Sequence, residues 1–201
     1  MEIERRQITG GLQIEERADG KKGITGLGIV FNKRSVNMGG FVEIVLPEAV
    51  RGIDFSDPDI VSAINHDINQ VVGRAPDTLE IDVRNDGVYY FIPESDDPDY
   101  RSLESKVKRG IIRGSSFSFN TSPGGDKWTD EDGGNYMLRT ISEFSGIYDL
   151  SPVVRPAYPD TTVAKRSMDE WKEKNQKKDN EKSGYPIGLA ERKHKFLKSK
   201  Y

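Results

Sequence analysis

Short bursts of apolar residues, separated by Gly, Pro, Asn and Asp, run through the first 165 residues and indicate a strand-rich domain. The clearest alternation is Thr78–Arg84, where Leu79, Ile81 and Val83 share one face and charged residues take the other. The Asn-Asp-Gly turn that follows predicts a hairpin with a returning strand over Val88–Ile92. Further strands are predicted at Ile24–Phe31, Phe41–Leu46, Ile60–Ile64, Ser116–Thr121, Tyr136–Phe144 and Ile147–Val154, with a short helical turn at Pro47–Val50.

One α-helix is predicted from about Pro98 to Arg109. Asp97 suits its N-cap, proline suits its first position, and Gly110 suits its exit. Leu103 and Val107 lie one turn apart and form its apolar face.

The composition changes near Arg166. From there to the last residue, Lys and Arg outnumber Asp and Glu by eleven to six, and apolar residues become sparse. Such a segment buries too little surface to offset its ordering entropy. We therefore divide the chain into an N-terminal lead-in (1–22), a domain (23–166) and a charged, flexible tail (167–201), with a short helix around Met168–Lys174.

Composition narrows the function classes. With 34% hydrophobic and 31% charged residues among 201, the chain fits a soluble protein with a modest core. It has no apolar run of about 18 residues, so no membrane span is expected. The absence of cysteine excludes disulfides and thiol catalysis and is compatible with a cytosolic setting. The net charge of −3 gives no general attraction to nucleic acid.

The chain has two histidines, and only His66 lies inside the predicted domain, because His194 belongs to the tail. Histidine can take a proton from a serine hydroxyl near neutral pH, which makes that hydroxyl a nucleophile. A His between Asn65 and Asp67 also fits an ordinary loop. A lone histidine without a cluster of carboxylates or cysteines does not predict a metal site.

Ser116-Phe117-Ser118-Phe119 alternates, so phenylalanines in the core would leave both serines on the opposite face. The same pattern fits an amphipathic strand without chemistry. Asp149 lies in an otherwise apolar strand, and a buried acid needs a partner. A histidine ring nitrogen, a backbone amide or an arginine would each serve.

Six short motifs occur in the order seen in prohead proteases of tailed bacteriophages, and the chain resembles that family from about Gly23 to Arg166. The motifs are Gly28–Asn32, Asn65–Asp67, Val72–Arg74, Asp86–Val88, Arg109–Phe119 and Leu150–Thr161.

The resemblance implies a β-rich α+β fold similar to herpesvirus assemblin, a mostly antiparallel β-barrel with peripheral helices. It implies a serine endopeptidase that acts inside the immature procapsid in the host cytoplasm and needs no cofactor. Its substrates would be scaffold or the scaffold-like segment of the major capsid protein, and it would also digest itself. We expect a homodimer or higher oligomer, with no membrane or specific nucleic acid as partner.

By the same resemblance, His66 aligns with the family's base and Ser116 with its nucleophile in the pattern Gly-x-Ser-Phe-Gly-Phe. Ser118 replaces the second glycine of that pattern, and Ser115 fills the variable position and should point away. Because this domain has no second histidine, an acid is expected as the third member of the site.

Asp149 is our first choice for that acid and Glu143 the second. Backbone amides near Arg139 or around Gly114 are candidates for stabilising an oxyanion.

Two other functions are open. The first is a catalytically inactive homologue that binds scaffold during capsid assembly, against which the presence of both Ser116 and His66 argues. The second is a β-rich binding module whose basic tail contacts nucleic acid or a capsid wall. The tail has a separate hypothesis, in which it directs the protease into the procapsid by binding scaffold and is trimmed during self-processing.

Overall fold

The computed structural model describes residues 3–131, 136–154, 164–166 and 168–173. The chain divides into one compact unit that ends at Thr161 and a second that begins at Thr162. The strands described in the first unit are β1 (Glu4–Thr9), β2 (Gln13–Glu16), β3 (Lys22–Val30), β4 (Phe41–Val45), β5 (Val61–Ala63), β6 (Val71–Arg74), β7 (Glu80–Arg84), β8 (Gly87–Pro93), β9 (Gly114–Thr121), β10 (Asp126–Asp130), β11 (Met137–Ile141) and β12 (Phe144–Val153). Helix α1 (Pro98–Lys108) and 3-10 turns at Pro47–Val50 and Ile64–His66 complete the described elements of this unit. The predicted β-rich α+β class is confirmed.

The strands form three sheets. A five-stranded sheet has the order β1-β9-β12-β5-β6, a four-stranded sheet β2-β3-β8-β7, and a three-stranded sheet β10-β11-β4. Seven of the nine pairings are antiparallel, the exceptions being β12 with β5 and β11 with β4. The described strands are therefore mostly antiparallel, as expected, but they form separate sheets rather than one closed barrel.

Helix α1 agrees closely with the prediction. Oδ1 of Asp97 accepts the amides of Asp99 at 2.8 Å and Tyr100 at 3.2 Å, which caps two free N–H groups of the first turn. Gly110 follows the helix with φ of 67°, a left-handed conformation that glycine adopts without a steric penalty.

Two strand predictions need correction. Tyr136–Phe144 was expected as one strand, but β11 ends at Ile141 because the amides of Ser142 and Glu143 both donate to the carbonyl of Gly125 and leave the ladder. Fewer side chains of β7 are buried than the alternation predicted. Val83 is 48% exposed because it lies beside the turn on β7, the edge strand of its sheet.

The first 22 residues, predicted as a lead-in, supply two strands. β1 pairs antiparallel with β9, and β2 pairs antiparallel with β3. No apolar alternation marks β1, because its buried side chains are Glu4 and Arg6.

In the second unit, residues 164–166 and 168–173 are helical, and the latter range agrees with the short helix predicted there. The rest of the predicted tail and the end of the last family motif, residues 155–161, lie outside the described residues. Among the residues described, no helix has the length and apolar character needed to cross a membrane.

Aromatic side chains of β9 and β12 fill the core of the first unit. The ring centroids of Phe117 and Phe119 lie 5.0 Å apart, and those of Phe119 and Phe144 lie 4.8 Å apart. The four-stranded sheet comes close to β12 at Gly28, where an added Cβ would lie 2.7 Å from Leu150 Cδ2. A side chain at this glycine would push the two sheets apart.

A buried ion cluster joins the five-stranded sheet to the three-stranded sheet. Arg6 on β1 binds Glu43 on β4 through two parallel contacts of 2.8 Å, from Nε and Nη2. Arg139 on β11 binds Glu4 through Nη1 at 2.7 Å and Asp126 on β10 through Nε at 2.7 Å. Because β1 otherwise carries few apolar residues, these ion pairs are its main side-chain attachment.

The cluster shifts the pKa values of its members. Burial by itself would raise the pKa of Glu4, but hydrogen bonds and positive charge from Arg139 and Arg6 outweigh it and hold that pKa below its ordinary value. Burial would lower the pKa of Arg139, yet hydrogen bonds and negative charge from Glu4 and Glu43 raise it. Folding therefore favours the charged forms of these side chains.

We predict that Arg139→Met lowers the free energy of unfolding by about 3–5 kcal/mol, because it leaves Arg6 as the single cation among Glu4, Glu43 and Asp126. Urea denaturation at pH 7 measures the change. The control is Arg101→Met on α1, which removes an exposed arginine and should leave stability nearly unchanged. Equal effects of the two substitutions would contradict a structural role for the cluster.

We also predict that Glu4→Gln destabilises the protein near neutral pH and much less in acid. Because the folded pKa of Glu4 lies below its ordinary value of 4.5, its stabilising charge is present above pH 4.5 and is lost as the pH falls through the folded pKa. Urea denaturation at pH 7 and pH ~3 tests this. Glu16→Gln, which removes an exposed glutamate, serves as the control. If Glu4→Gln lowered the free energy of unfolding by the same amount at both pH values, the explanation would be wrong.

Candidate active site

Ser116 lies on β9, between β1 and β12, and its Oγ is 2.7 Å from Nε2 of His66. Phe117 points into the core, so the alternation of the strand directs Ser116 to the opposite face, as predicted. Ser115 points away from the site, and its hydroxyl lies 3.0 Å from the hydroxyl of Tyr90.

His66 ends the 3-10 turn that follows β5. Asn65 and His66 have φ of 54° and 61°, a left-handed conformation that costs a non-glycine residue about 1–3 kcal/mol. The Asn65 side chain anchors the turn, because its Oδ1 accepts the amide of Val154 at 3.0 Å. This constrained backbone directs the imidazole towards β9.

A β-bulge in β12 determines which face Asp149 occupies. Ile147 pairs with Phe119 and Asp149 with Ser118, so Tyr148 is an extra residue between two consecutive pairs. If Tyr148 were paired in regular register after Ile147, Asp149 would fall opposite Phe117 and face the apolar core. The bulge therefore allows Ile147 to face the core while Asp149, two residues later, lies on the serine face of the sheet.

Asp149 Oδ1 lies 2.8 Å from Nδ1 of His66, on the side of the ring opposite Ser116. Both atoms are buried, and the oxygen lies off the direction in which an Nδ1–H would point. The pair is thus a short electrostatic contact rather than an aligned hydrogen bond. Catalytic contacts of this type often align only when substrate is bound.

A second acceptor competes for the Ser116 proton. Ser116 Oγ lies 2.9 Å from the main-chain oxygen of Arg6 as well as 2.7 Å from His66 Nε2. One hydroxyl proton serves one acceptor, so a bond to Arg6 requires Nε2 to be the donor towards Oγ. Ser116 is 0% exposed, and its hydroxyl is enclosed between His66 and the Arg6 main chain of β1.

The other sequence-predicted acids lie elsewhere. Glu143 is exposed, and its Oε1 accepts the hydroxyl of Ser122 at 3.1 Å. It lies just before β12, six residues ahead of Asp149 in the sequence. Asp67 braces its own turn, where the amide of Asn69 and then the side chain of Gln70 lower its pKa. Among the described residues, no group of three or more His, Cys, Asp and Glu could hold a metal ion.

Arg139 and Gly114, the two residues near which oxyanion donors were expected, both lie inside their sheets with a paired strand on each side. Arg139 is in register with Trp128 on one side and Glu43 on the other, so its backbone is taken up by the sheet. Gly114 is likewise paired on both sides, with Thr9 and Val153. The donors would have to come from other amides or from a rearrangement.

The sequence reasoning missed two contributors to the site. Ser151 is opposite Ser116, and its Oγ accepts the amide of Ala63 at 3.1 Å, which ties the end of β5 to β12. Arg6 places its carbonyl at the Ser116 hydroxyl. Arg6 could have been found from the opposite charges of Glu4 and Arg6, which lie two residues apart. This spacing is typical of a strand whose buried face forms ion pairs.

Comparison with known proteins identifies a family. A family model described as caudovirus prohead serine protease matches residues 11–174. Among solved structures, the capsid assembly protease gp21 of bacteriophage T4 is similar, with a TM-score of 0.48 and 14% sequence identity over 77% of this chain and 98% of that chain. No curated protein matches the sequence.

Proposed function

Because the chain belongs to the caudovirus prohead serine protease family, we propose that it cleaves peptide bonds with Ser116 as nucleophile, His66 as base and Asp149 as the third member. The observation that carries this proposal is the 2.7 Å separation between Ser116 Oγ and His66 Nε2, with a carboxylate behind the ring. The family itself was expected from the sequence motifs, and that expectation is confirmed.

The proposed mechanism is acyl transfer. Ser116 Oγ attacks the scissile carbonyl while Nε2 of His66 takes its proton, and the ring then gives that proton to the leaving amine. Water next attacks the acyl-enzyme with His66 again as base, which releases the new carboxyl end. Asp149 favours the Nδ1–H tautomer and stabilises the imidazolium.

The proposed substrates are scaffold and the scaffold-like segment of the major capsid protein, and the enzyme also processes itself. The setting would be the immature procapsid in the host cytoplasm, with the protease as a homodimer or higher oligomer. The basic excess of the tail supports a contact that carries the protease into the particle. No cofactor, membrane or specific nucleic acid enters the proposal.

Ser116→Ala should abolish cleavage of co-expressed, scaffold-bearing capsid protein and leave the fold intact, because it removes the nucleophile and little volume. Mass spectrometry of the capsid protein measures cleavage, and circular dichroism checks the fold. Ser118→Ala is the matched control, since Ser118 shares the strand and face but accepts a bond from Arg5 instead. Normal processing by Ser116→Ala would remove Ser116 from the role.

Asp149→Asn should lower kcat by a factor on the order of 10³–10⁴, because an amide no longer favours the Nδ1–H tautomer. Glu143→Gln should leave kcat unchanged, because its side chain lies on an exposed turn. Rates on a capsid-derived peptide compare the two variants. A large loss with Glu143→Gln and none with Asp149→Asn would assign the third role to Glu143.

A further inference from the structure

We infer that the edge of β9 now covered by β1 is the substrate-binding edge, that β1 is a tethered substrate mimic, and that Glu43 selects a basic side chain on the residue before the cleaved bond. The inference rests on the proposed function, because it takes Ser116 as the nucleophile. It adds a substrate class and a specificity residue to that function.

The first argument is the position of the Arg6 carbonyl. β1 runs antiparallel to β9 with Gln7 opposite Ser116, and the Arg6 oxygen is 2.9 Å from the Ser116 hydroxyl. Peptides commonly bind a sheet edge as an added strand, held by main-chain hydrogen bonds. β1 is such a strand, and the Arg6–Gln7 peptide bond is the one it presents to the nucleophile.

The second argument is access. Ser116 is 0% exposed, and its strand is flanked by β12 on one side and by β1 on the other. β12 carries Asp149 and core residues, whereas β1 is the edge strand of the sheet. A substrate therefore reaches Ser116 when β1 leaves. The family match begins at residue 11, so β1 precedes the part of the chain that the family shares.

The third argument is charge. The Arg6 guanidinium meets both oxygens of Glu43 at 2.8 Å, a planar fork that suits arginine. Without β1, the cluster would consist of Glu43, Asp126 and Arg139. It would then carry two formal negative charges and one positive charge. A basic side chain from a substrate gives Glu43 a cation in place of Arg6, whereas a neutral one leaves this buried carboxylate without its fork partner.

Two further features beside β1 support a substrate site at this edge: the contact of Glu4 with Arg139 and an adjoining cleft. Glu4, two residues before Arg6, binds Arg139 at 2.7 Å, so the same edge favours an acidic side chain two residues before the basic one. A cleft of about 590 Å³ adjoins β1 and has Arg6, Gln7, Glu43 and Phe117 among its lining residues. Glu43 itself is 3% exposed beside this cleft, so a peptide would meet it from the cleft once Arg6 has left.

The covalent step involves only water as co-reactant. A bond forms between Ser116 Oγ and the carbonyl carbon of the basic residue, and the Oγ proton moves to His66 Nε2. The C–N bond then breaks as the leaving amine takes that proton. Hydrolysis of the ester returns Ser116 and leaves a product whose last residue is arginine or lysine.

The first experiment measures access in the full-length chain. Arg6→Ala should increase the rate at which a fluorophosphonate labels Ser116 by about tenfold or more, because the uncovered fraction rises. Arg6→Lys should give an intermediate rate, because lysine keeps the charge but not the two-point contact with Glu43. Arg5→Ala is the matched control on the same strand, since Arg5 contacts Ser118 rather than the ion cluster. Equal rates for Arg6→Ala, Arg5→Ala and wild type, with folding verified by circular dichroism, would overturn the inference.

The second experiment measures specificity and does not depend on the first variant folding. Wild type should cleave a peptide with Arg before the scissile bond with kcat/KM about tenfold to a hundredfold higher than the same peptide with Gln there. Glu43→Gln should remove that preference, whereas Glu48→Gln, which alters an exposed glutamate, should keep it. Absence of the preference, or its survival in Glu43→Gln, would refute the inference.

The outcomes separate the two proposals. Cleavage and labelling at Ser116 without any basic preference would reject the role of Glu43 and keep the proposed peptidase. A folded protein whose Ser116 is never labelled, and whose capsid substrate is cut equally by Ser116→Ala, would reject the proposed function itself.

Discussion

The pairing of β9 with β12 is the interaction on which the candidate site depends. It places Phe117 against Leu150 in the core and, one residue away, Ser116 against Ser151 on the other face. The extra residue Tyr148 then lets Ile147 face the core while Asp149 stays on that second face, where it meets the imidazole of His66. Because the period of a strand is two residues, one bulged residue is enough to put positions two apart on opposite faces.

The ion cluster gives β1 a different kind of attachment from that of the core strands. Ion pairs that are fully buried gain much Coulomb energy but lose most of it to desolvation, so their net contribution is modest. A strand held by Glu4 and Arg6 is consequently specific in register yet less firmly bound than one held by aromatic residues. That combination agrees with our inference that β1 occupies a substrate edge and leaves it.

The sequence predicted the parts of the fold whose side chains follow a simple period. Helix α1, the hairpin of β7 and β8, and the phenylalanine alternation of β9 depend on local patterns, and these were found. β1 was missed because its buried face is charged, and the end of β11 was missed because Gly125 captures two amides from outside the strand. The choice between Asp149 and Glu143 was left open because the bulge has no signature in the apolar pattern.

The Ser116 proton links the covering strand to the chemistry of the site. With β1 in place, the Arg6 carbonyl competes with His66 for that proton, and a proton donated to Arg6 is not available to the base. The ring would then have to donate through Nε2, and a neutral imidazole in that form has no Nδ1–H to give Asp149. Without the Arg6 carbonyl, Nε2 of His66 would accept the Ser116 proton in the tautomer that the carboxylate favours. In the mechanism that we propose, the same backbone contact therefore both covers the Ser116 hydroxyl and disfavours its activation.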